Sequence, residues 1–322
     1  MSTYYEIFGG KINVLSADPS NPVEGQMWYN TTTEILKYQS VTTAGAWASG
    51  GNMTTGRSLL AGAGTQTEAL GFGGYTTTFV ANTEEYNGSS WTGGGSLNTA
   101  RYILMGTGTQ TAGLCFGGTS TGNSNATEEY DGTSWATSPG TLNTAVRDAG
   151  ACGIQTAGLC FGGTSTVQFI TNTEEYDGTS WTVGNGLNTA VQGNAGAGTQ
   201  TAGLSFGGEV TGSVVTNNTE EYDGTSWASV NNMNTARRLL GDAGIQTAAL
   251  AFGGYITAVS NATEEYDGTS WVTSTNMTNA RHTLAGAGTQ TAGLGFGGTS
   301  ATNATEEYTG AGAPLTKTVT AQ

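Results

Sequence analysis

Leu114-Cys115-Phe116-Gly117-Gly118, followed by Glu128-Glu129-Tyr130-Asp131-Gly132-Thr133-Ser134-Trp135, is the stretch that decides the fold, because the chain repeats it six times. The phenylalanines are Phe72, Phe116, Phe161, Phe206, Phe252 and Phe296, at intervals of 44, 45, 45, 46 and 44 residues. Their glycine pairs are Gly73 and Gly74, Gly117 and Gly118, Gly162 and Gly163, Gly207 and Gly208, Gly253 and Gly254, and Gly297 and Gly298. A Glu-Glu-Tyr follows each, ending at Tyr86, Tyr130, Tyr176, Tyr222, Tyr266 and Tyr308. Trp91, Trp135, Trp181, Trp227 and Trp271 complete the first five copies. A period of this length marks an array of supersecondary units, none of which buries its apolar face alone.

Each unit reads as four short strands. The first is small and apolar, as in Leu60-Ala61-Gly62-Ala63-Gly64. Gly is poor for an isolated strand but suits a place where another backbone approaches closely. A tight turn follows, with Gln66, Gln110, Gln155, Gln200, Gln246 or Gln290 in it. The second strand ends at Phe-Gly-Gly and the third carries Glu-Glu-Tyr. An Asp-Gly turn (Asn87-Gly88 in the first copy) leads to the fourth at Trp, since Asp-Gly and Asn-Gly favour hairpin turns that match strand twist. Gly- and Ala-rich first strands can converge on a crowded axis, and the large aromatic residues can fill the widening space between units.

The order of hydrophobic strand, Gly-Gly, Tyr, Trp and link resembles the kelch repeat over about residues 41–310. The resemblance implies an all-β fold, a six-bladed kelch-like β-propeller; with a single histidine in the chain, no cofactor is expected. The last copy has Phe296 and Tyr308 but no Trp after them, whereas Ala46-Trp47-Ala48-Ser49 and its link Asn52-Met53-Thr54 stand alone near the N-terminus. Trp47 is therefore expected to complete the last blade and remove exposed edges; Leu315–Thr320 competes for the same place. Residues 311–322 otherwise read as a tail.

Residues 1–40 lie outside the repeat. Asp18-Pro19-Ser20-Asn21-Pro22-Val23-Glu24-Gly25-Gln26-Met27-Trp28-Tyr29-Asn30, then Leu36-Lys37-Tyr38, resembles a short module of bacteriophage structural and tail-fibre proteins. That resemblance implies docking to other virion proteins, assembly in the host cytoplasm, and a location on the virion; a homo-oligomer is compatible with it. From the residues alone, the segment is a Pro- and Gly-rich turn and a hairpin turning at Asn30–Thr33.

Charged residues are 10% of the 322, and the net charge is −15, against about 25% charged in an ordinary soluble domain. Low charge with abundant Thr, Asn and Gly suits an extracellular or particle surface. The negative charge disfavours nucleic acid and anionic membranes, and no apolar run reaches the roughly 18 residues of a membrane span. Cys115, Cys152 and Cys160 are expected as buried thiols. A single histidine, His282, and the lack of a nucleophile elbow argue against a hydrolase. The Glu-Glu pairs alternate across a strand, so their carboxylates cannot act together. They are expected to bond the next blade or to pair with Arg57, Arg101, Arg147, Arg237 and Arg281.

The second-to-third loops vary while the opposite turns repeat, and variable loops on a rigid scaffold are where recognition concentrates. Tyr75, Phe79, Phe169, Ile170 and Tyr255 lie there and are expected to be exposed for stacking on a sugar or touching protein. The expected function is a virion fibre or decoration component that recognises a host-surface glycan or protein and is not an enzyme. A bacterial carbohydrate-binding or interaction propeller is the alternative.

Overall fold

The computed structural model describes residues 3–7, 10–20, 22, 25–41, 44–166, 168–312 and 314–319. Asn21, Val23 and Glu24 of the N-terminal motif, Val167 of one variable loop, and Thr320 lie outside the described residues. The chain divides into two compact units, residues 46–308, and residues 1–45 together with 309–322.

The larger unit is a β-propeller. Its described residues form six four-stranded antiparallel sheets, numbered here as blades one to six. Blade two is typical, with Met105–Thr109 innermost, then Ala112–Phe116, Thr127–Tyr130 and Trp135–Thr137 outermost. The inner strands Ala61–Gly64, Met105–Thr109, Gly150–Ile154, Ala195–Thr199, Gly241–Ile245 and Ala285–Thr289 neighbour one another in a closed circle. Small residues are needed there. A Cβ on Gly286 would lie 2.0 Å from the carbonyl oxygen of Asp242, and one on Gly62 would lie 2.6 Å from that of Gly286.

Four repeated contacts join each blade to the preceding one. The Trp ring packs on the preceding Phe ring, with centroids 4.7–5.0 Å apart from Phe116–Trp181 to Trp47–Phe252. The Trp Nε1 donates to a Thr hydroxyl of the preceding blade, as Trp135 does to Thr83 at 2.9 Å. The Tyr hydroxyl donates to the second Glu of the preceding pair, as Tyr130 does to Glu85 at 2.5 Å. The turn Gln donates to two carbonyls, Gln110 reaching Ala69 at 3.0 Å and Tyr86 at 2.6 Å. These contacts run round the whole ring: Trp91 bonds Thr305, Tyr86 bonds Glu307, and Gln66 bonds Gly293 and Tyr308. The glutamines, read from sequence as turn residues only, are thus also clamps between blades.

The first Glu of each pair is buried and faces the other way. It accepts hydrogen bonds from the blade link, as Glu128 does from the Asn98 N–H at 2.7 Å. In four blades it also meets a buried arginine: Arg57–Glu84 at 3.1 Å, Arg101–Glu128 at 2.7 Å, Arg237–Glu264 at 3.0 Å and Arg281–Glu306 at 3.0 Å. Arg147 departs from expectation. Buried Val146 occupies the arginine position of blade three, so Arg147 falls one residue later and bridges Thr164 by backbone instead. Val191 does the same in blade four.

Blade six takes Ala46–Ser49 as its outer strand. Trp47 Nε1 donates to Thr263 at 3.0 Å and its ring meets Phe252 and Tyr308. The competing segment lies elsewhere: Pro314–Thr318 pairs antiparallel with Ile35–Val41. Within 311–322, the backbone groups of Pro314–Thr318 extend a sheet of the smaller unit. That sheet runs in the order Thr3–Ile7, Gly10–Leu15, Met27–Asn30, Ile35–Val41, Pro314–Thr318. The expected hairpin is present, with Asn30 opposite Ile35 and its Oδ1 accepting from the N–H of Thr32 and Thr33. Asp18 accepts from Trp28, Asn30 and Lys37, led by Asn30, and these bonds hold its carboxyl at about 2.

Candidate functional site

The axis is a tunnel whose ends differ. Toward the uniform face it is lined almost wholly by Gly and Ala, around a space of about 120 Å³. Toward the variable loops it widens into a chamber of about 130 Å³ bounded by Leu59, Ile103, Asp148, Gly193, Leu239 and Thr283. These six are equivalent positions, one per blade, and together they form a hydrogen-bonded collar. Leu59 N donates to Thr283 O, Ile103 to Leu59, Asp148 to Ile103, Gly193 to Asp148, Leu239 to Gly193 and Thr283 to Leu239, at 2.8–3.3 Å. Each has a φ between +53° and +60°. That conformation is costly for β-branched Ile103 and Thr283, and the six bonds hold it.

Two carboxylates break the symmetry of the tunnel. Asp242 stands where the other blades have Gly62, Gly106, Ala151, Gly196 and Gly286. Its Oδ2 accepts from the Gly196 N–H at 3.3 Å, but burial dominates and pushes its carboxyl up to about 7. Asp148 sits in the collar, and burial raises it to about 6 against the pull of Arg147 and Arg238. Among the described residues no three His, Cys, Asp or Glu side chains gather as metal ligands. The thiols are free and buried; Cys160 lies opposite Ala151 and Cys152 opposite Leu159.

Around the collar, the residue before each collar position meets the start of a variable loop. The pairs are Ser58 with Tyr75, Tyr102 with Thr119, Arg147 with Thr164, Gln192 with Glu209, Arg238 with Tyr255, and His282 with Thr299. This rim has two halves of different chemistry. On blades three to five, a polar chain runs between blades. Thr164 donates to Gln192, Gln192 Nε2 donates to Glu209 at 3.1 Å, and Arg238 donates to the same Glu209 oxygen. The Arg238 guanidinium also lies 5.5 Å from the Tyr255 ring centre, which meets the His282 ring edge-on. Burial, then Arg238, lowers the His282 pKa, which favours its neutral form.

On blades one and two the rim is aromatic. Tyr75 and Phe79 are each 37% exposed. Tyr102 lies between them, 5.7 Å from Tyr75 and stacked on Phe79 at 6.2 Å and 11°. Of the five residues expected on this face, Tyr75 and Phe79 come together, while Tyr255 is half-buried in the polar arc. Phe169 is half-buried on a two-residue hairpin strand opposite Thr164. Ile170 is corrected: it is 9% exposed and packs in the core with Val146 and Trp181, because its N–H bonds Gly163 and turns it inward. Sequence reasoning passed over Tyr102, Gln192, Glu209, Arg238 and Asp242. Aligning the six copies column by column exposes them, since each stands in a column that varies from copy to copy, Glu209 directly after the invariant Gly-Gly.

No helix among the described residues is long and apolar enough to cross a membrane. No protein-family model matches the chain, and no curated protein matches it. These comparisons give no support to the resemblance of residues 18–38 to phage structural modules. Among solved structures, the chain is similar to one described as "Structure of YjhT", with a TM-score of 0.68 at 11% identity. The match covers 80% of this chain and 95% of that one. At that identity the likeness speaks for the fold alone, and with the ring of four-stranded sheets it establishes this chain as a β-propeller.

Proposed function

We propose that this protein is a structural component of a bacteriophage particle, of fibre or decoration type, whose propeller recognises a glycan on the host surface and does not transform it. The observation that carries the reading is the contrast between the two faces. One repeats the Gln turn in all six blades and an Asp-Gly or Asn-Gly turn in five, while the other departs from the repeat at every blade and exposes Tyr75 and Phe79. Exposed aromatic residues beside hydroxyl-bearing neighbours suit recognition of a sugar. The low charge and the N-terminal resemblance favour a particle, with residues 1–40 as the docking segment.

Immunogold electron microscopy of virus particles from the source culture, with antibody to the propeller, tests the reading. Label on fibres or capsid is expected. Unlabelled particles, with the protein on cells or in the medium, would replace this reading with that of a bacterial carbohydrate-binding propeller.

A further inference from the structure

We infer, resting on the recognition reading above, that Tyr75, Phe79 and Tyr102 form a stacking platform for an uncharged pyranose ring. The platform is built on pinned backbone. Tyr75 and Ser58 exchange two hydrogen bonds, at 2.8 and 3.0 Å, and Tyr102 and Thr119 exchange two more, at 2.9 and 3.1 Å. Tyr75 also bridges Phe79, and the Val80 N–H closes that loop onto Gly74 at 2.9 Å. Rings held in this way need little ordering when a ligand arrives. Rigid aromatic side chains with two torsions supply contact area at low entropic cost.

The charge pattern selects the ligand. The parts of blades one and two that shape this half of the rim, residues 58–60, 75–83, 102–104 and 119–127, contain no Asp, Glu, Lys, Arg or His. Thr77, Thr78 and Thr121 are exposed beside the rings and offer hydroxyls. A ligand with a flat apolar face and hydroxyls at its edge matches this surface; an ionic ligand finds no countercharge. In the arc on blades three to five, Arg238 donates to Glu209, which also accepts from Gln192. That arc is charged and polar, so an uncharged ring with an apolar face belongs on blades one and two. A peptide adding as a strand is excluded here, because the Tyr75 backbone is already bridged on both sides.

The test is binding of the full-length chain to an array of neutral hexose and N-acetylhexosamine oligosaccharides and of their carboxylated and sulfated counterparts. The hits are then titrated by saturation-transfer NMR. Binding to neutral glycans is expected, weakened at least about tenfold by Tyr75→Ala, Phe79→Ala or Tyr102→Ala, a loss of about 1.4 kcal/mol. Tyr102→Phe is expected to keep it, and Arg238→Gln to change it less than twofold. Unchanged melting of each variant separates lost contact from lost fold. Preference for anionic glycans, or loss with Arg238→Gln but not with Tyr102→Ala, would overturn the platform while leaving glycan recognition standing. Binding to no glycan, with labelled particles still adsorbing through a host protein, would overturn both the platform and the glycan and leave the virion role.

Discussion

Removing Glu128 should damage the fold far more than removing its arginine partner, and the chain contains its own control. Arg101 is fully buried, and Glu128 is the one carboxylate it meets among the described residues, at 2.7 Å. Glu128→Ala strands a buried guanidinium, a change that costs about 3–5 kcal/mol. Glu174 in blade three has no arginine, since Val146 replaces it, and is held by the Asn143 N–H at 2.7 Å, Asn143 Nδ2 at 3.0 Å and the Thr144 N–H at 2.9 Å. Glu174→Ala loses those bonds but strands no charge, so about 1–2 kcal/mol is expected. Arg101→Val copies blade three. It gives up the bond to Glu128, which the Asn98 N–H and Nδ2 continue to hold, and bonds to the Gly117 and Ala126 carbonyls, although Ala126 keeps the Gly117 N–H and Arg101 Nε already lacks a partner. It should cost about 1–2 kcal/mol. The decisive variant is the double: adding Arg101→Val to Glu128→Ala should restore stability. Urea titration and thermal melting followed by circular dichroism give the values, at about 2–4 °C per kcal/mol for a unit of this size. A double variant less stable than Glu128→Ala alone, or a Glu174→Ala as damaging as Glu128→Ala, refutes the stranded-charge argument.

Trp47→Ala should destabilise the propeller by about 3 kcal/mol, at the low end for a large aromatic deletion because Trp47 is only half-buried; an unshifted melting curve would show that Ala46–Ser49 does not close the ring. Asp242 should make stability fall as pH rises: its carboxyl titrates near 7 when folded against 3.8 when unfolded. The folded state therefore binds the extra proton, and stability is lost between about pH 4 and 7. Asp148, raised to about 6 by burial beside Arg147, Arg238 and Glu209, adds a smaller slope of the same sign. Asp242→Asn should flatten the profile and, with the open tunnel screening part of the effect, gain on the order of 2 kcal/mol at pH 8; an unchanged slope between pH 4 and 7 would count against a buried Asp242.

The aromatic rim shows how far the sequence leads toward a site. Tyr75 and Phe79 are recognisable because they are the two aromatic residues in a loop otherwise made of Thr, Val, Ala and Asn. Tyr102 is not, since it lies 27 residues from Tyr75 (102 − 75) in a link between blades, and only the curvature of the ring brings the rings within 6.2 Å. Ile170 and Phe169 are neighbours of similar hydrophobicity on one loop. Which one turns inward depends on the Ile170 N–H bond to Gly163, a matter of loop geometry that composition does not reveal. Arg147 was misassigned for a related reason: one residue of offset moves a side chain from the glutamate to the rim.

The repeat by itself determined the all-β class, the four strands of each unit, the turn chemistry, and the closure through Trp47. All of these follow from local periodicity and from an apolar face that a single unit cannot bury. Tertiary structure alone decided what happens between units. The second Glu receives a Tyr hydroxyl from the next blade, Gln clamps two carbonyls of the preceding one, and six link residues close a collar of backbone hydrogen bonds around the axis. It also decided that Pro314–Thr318 joins the N-terminal sheet. The physical reason is the same throughout: these partners lie some 24 to 280 residues apart, and a hydrogen bond across that separation is specified by where the ring places two atoms.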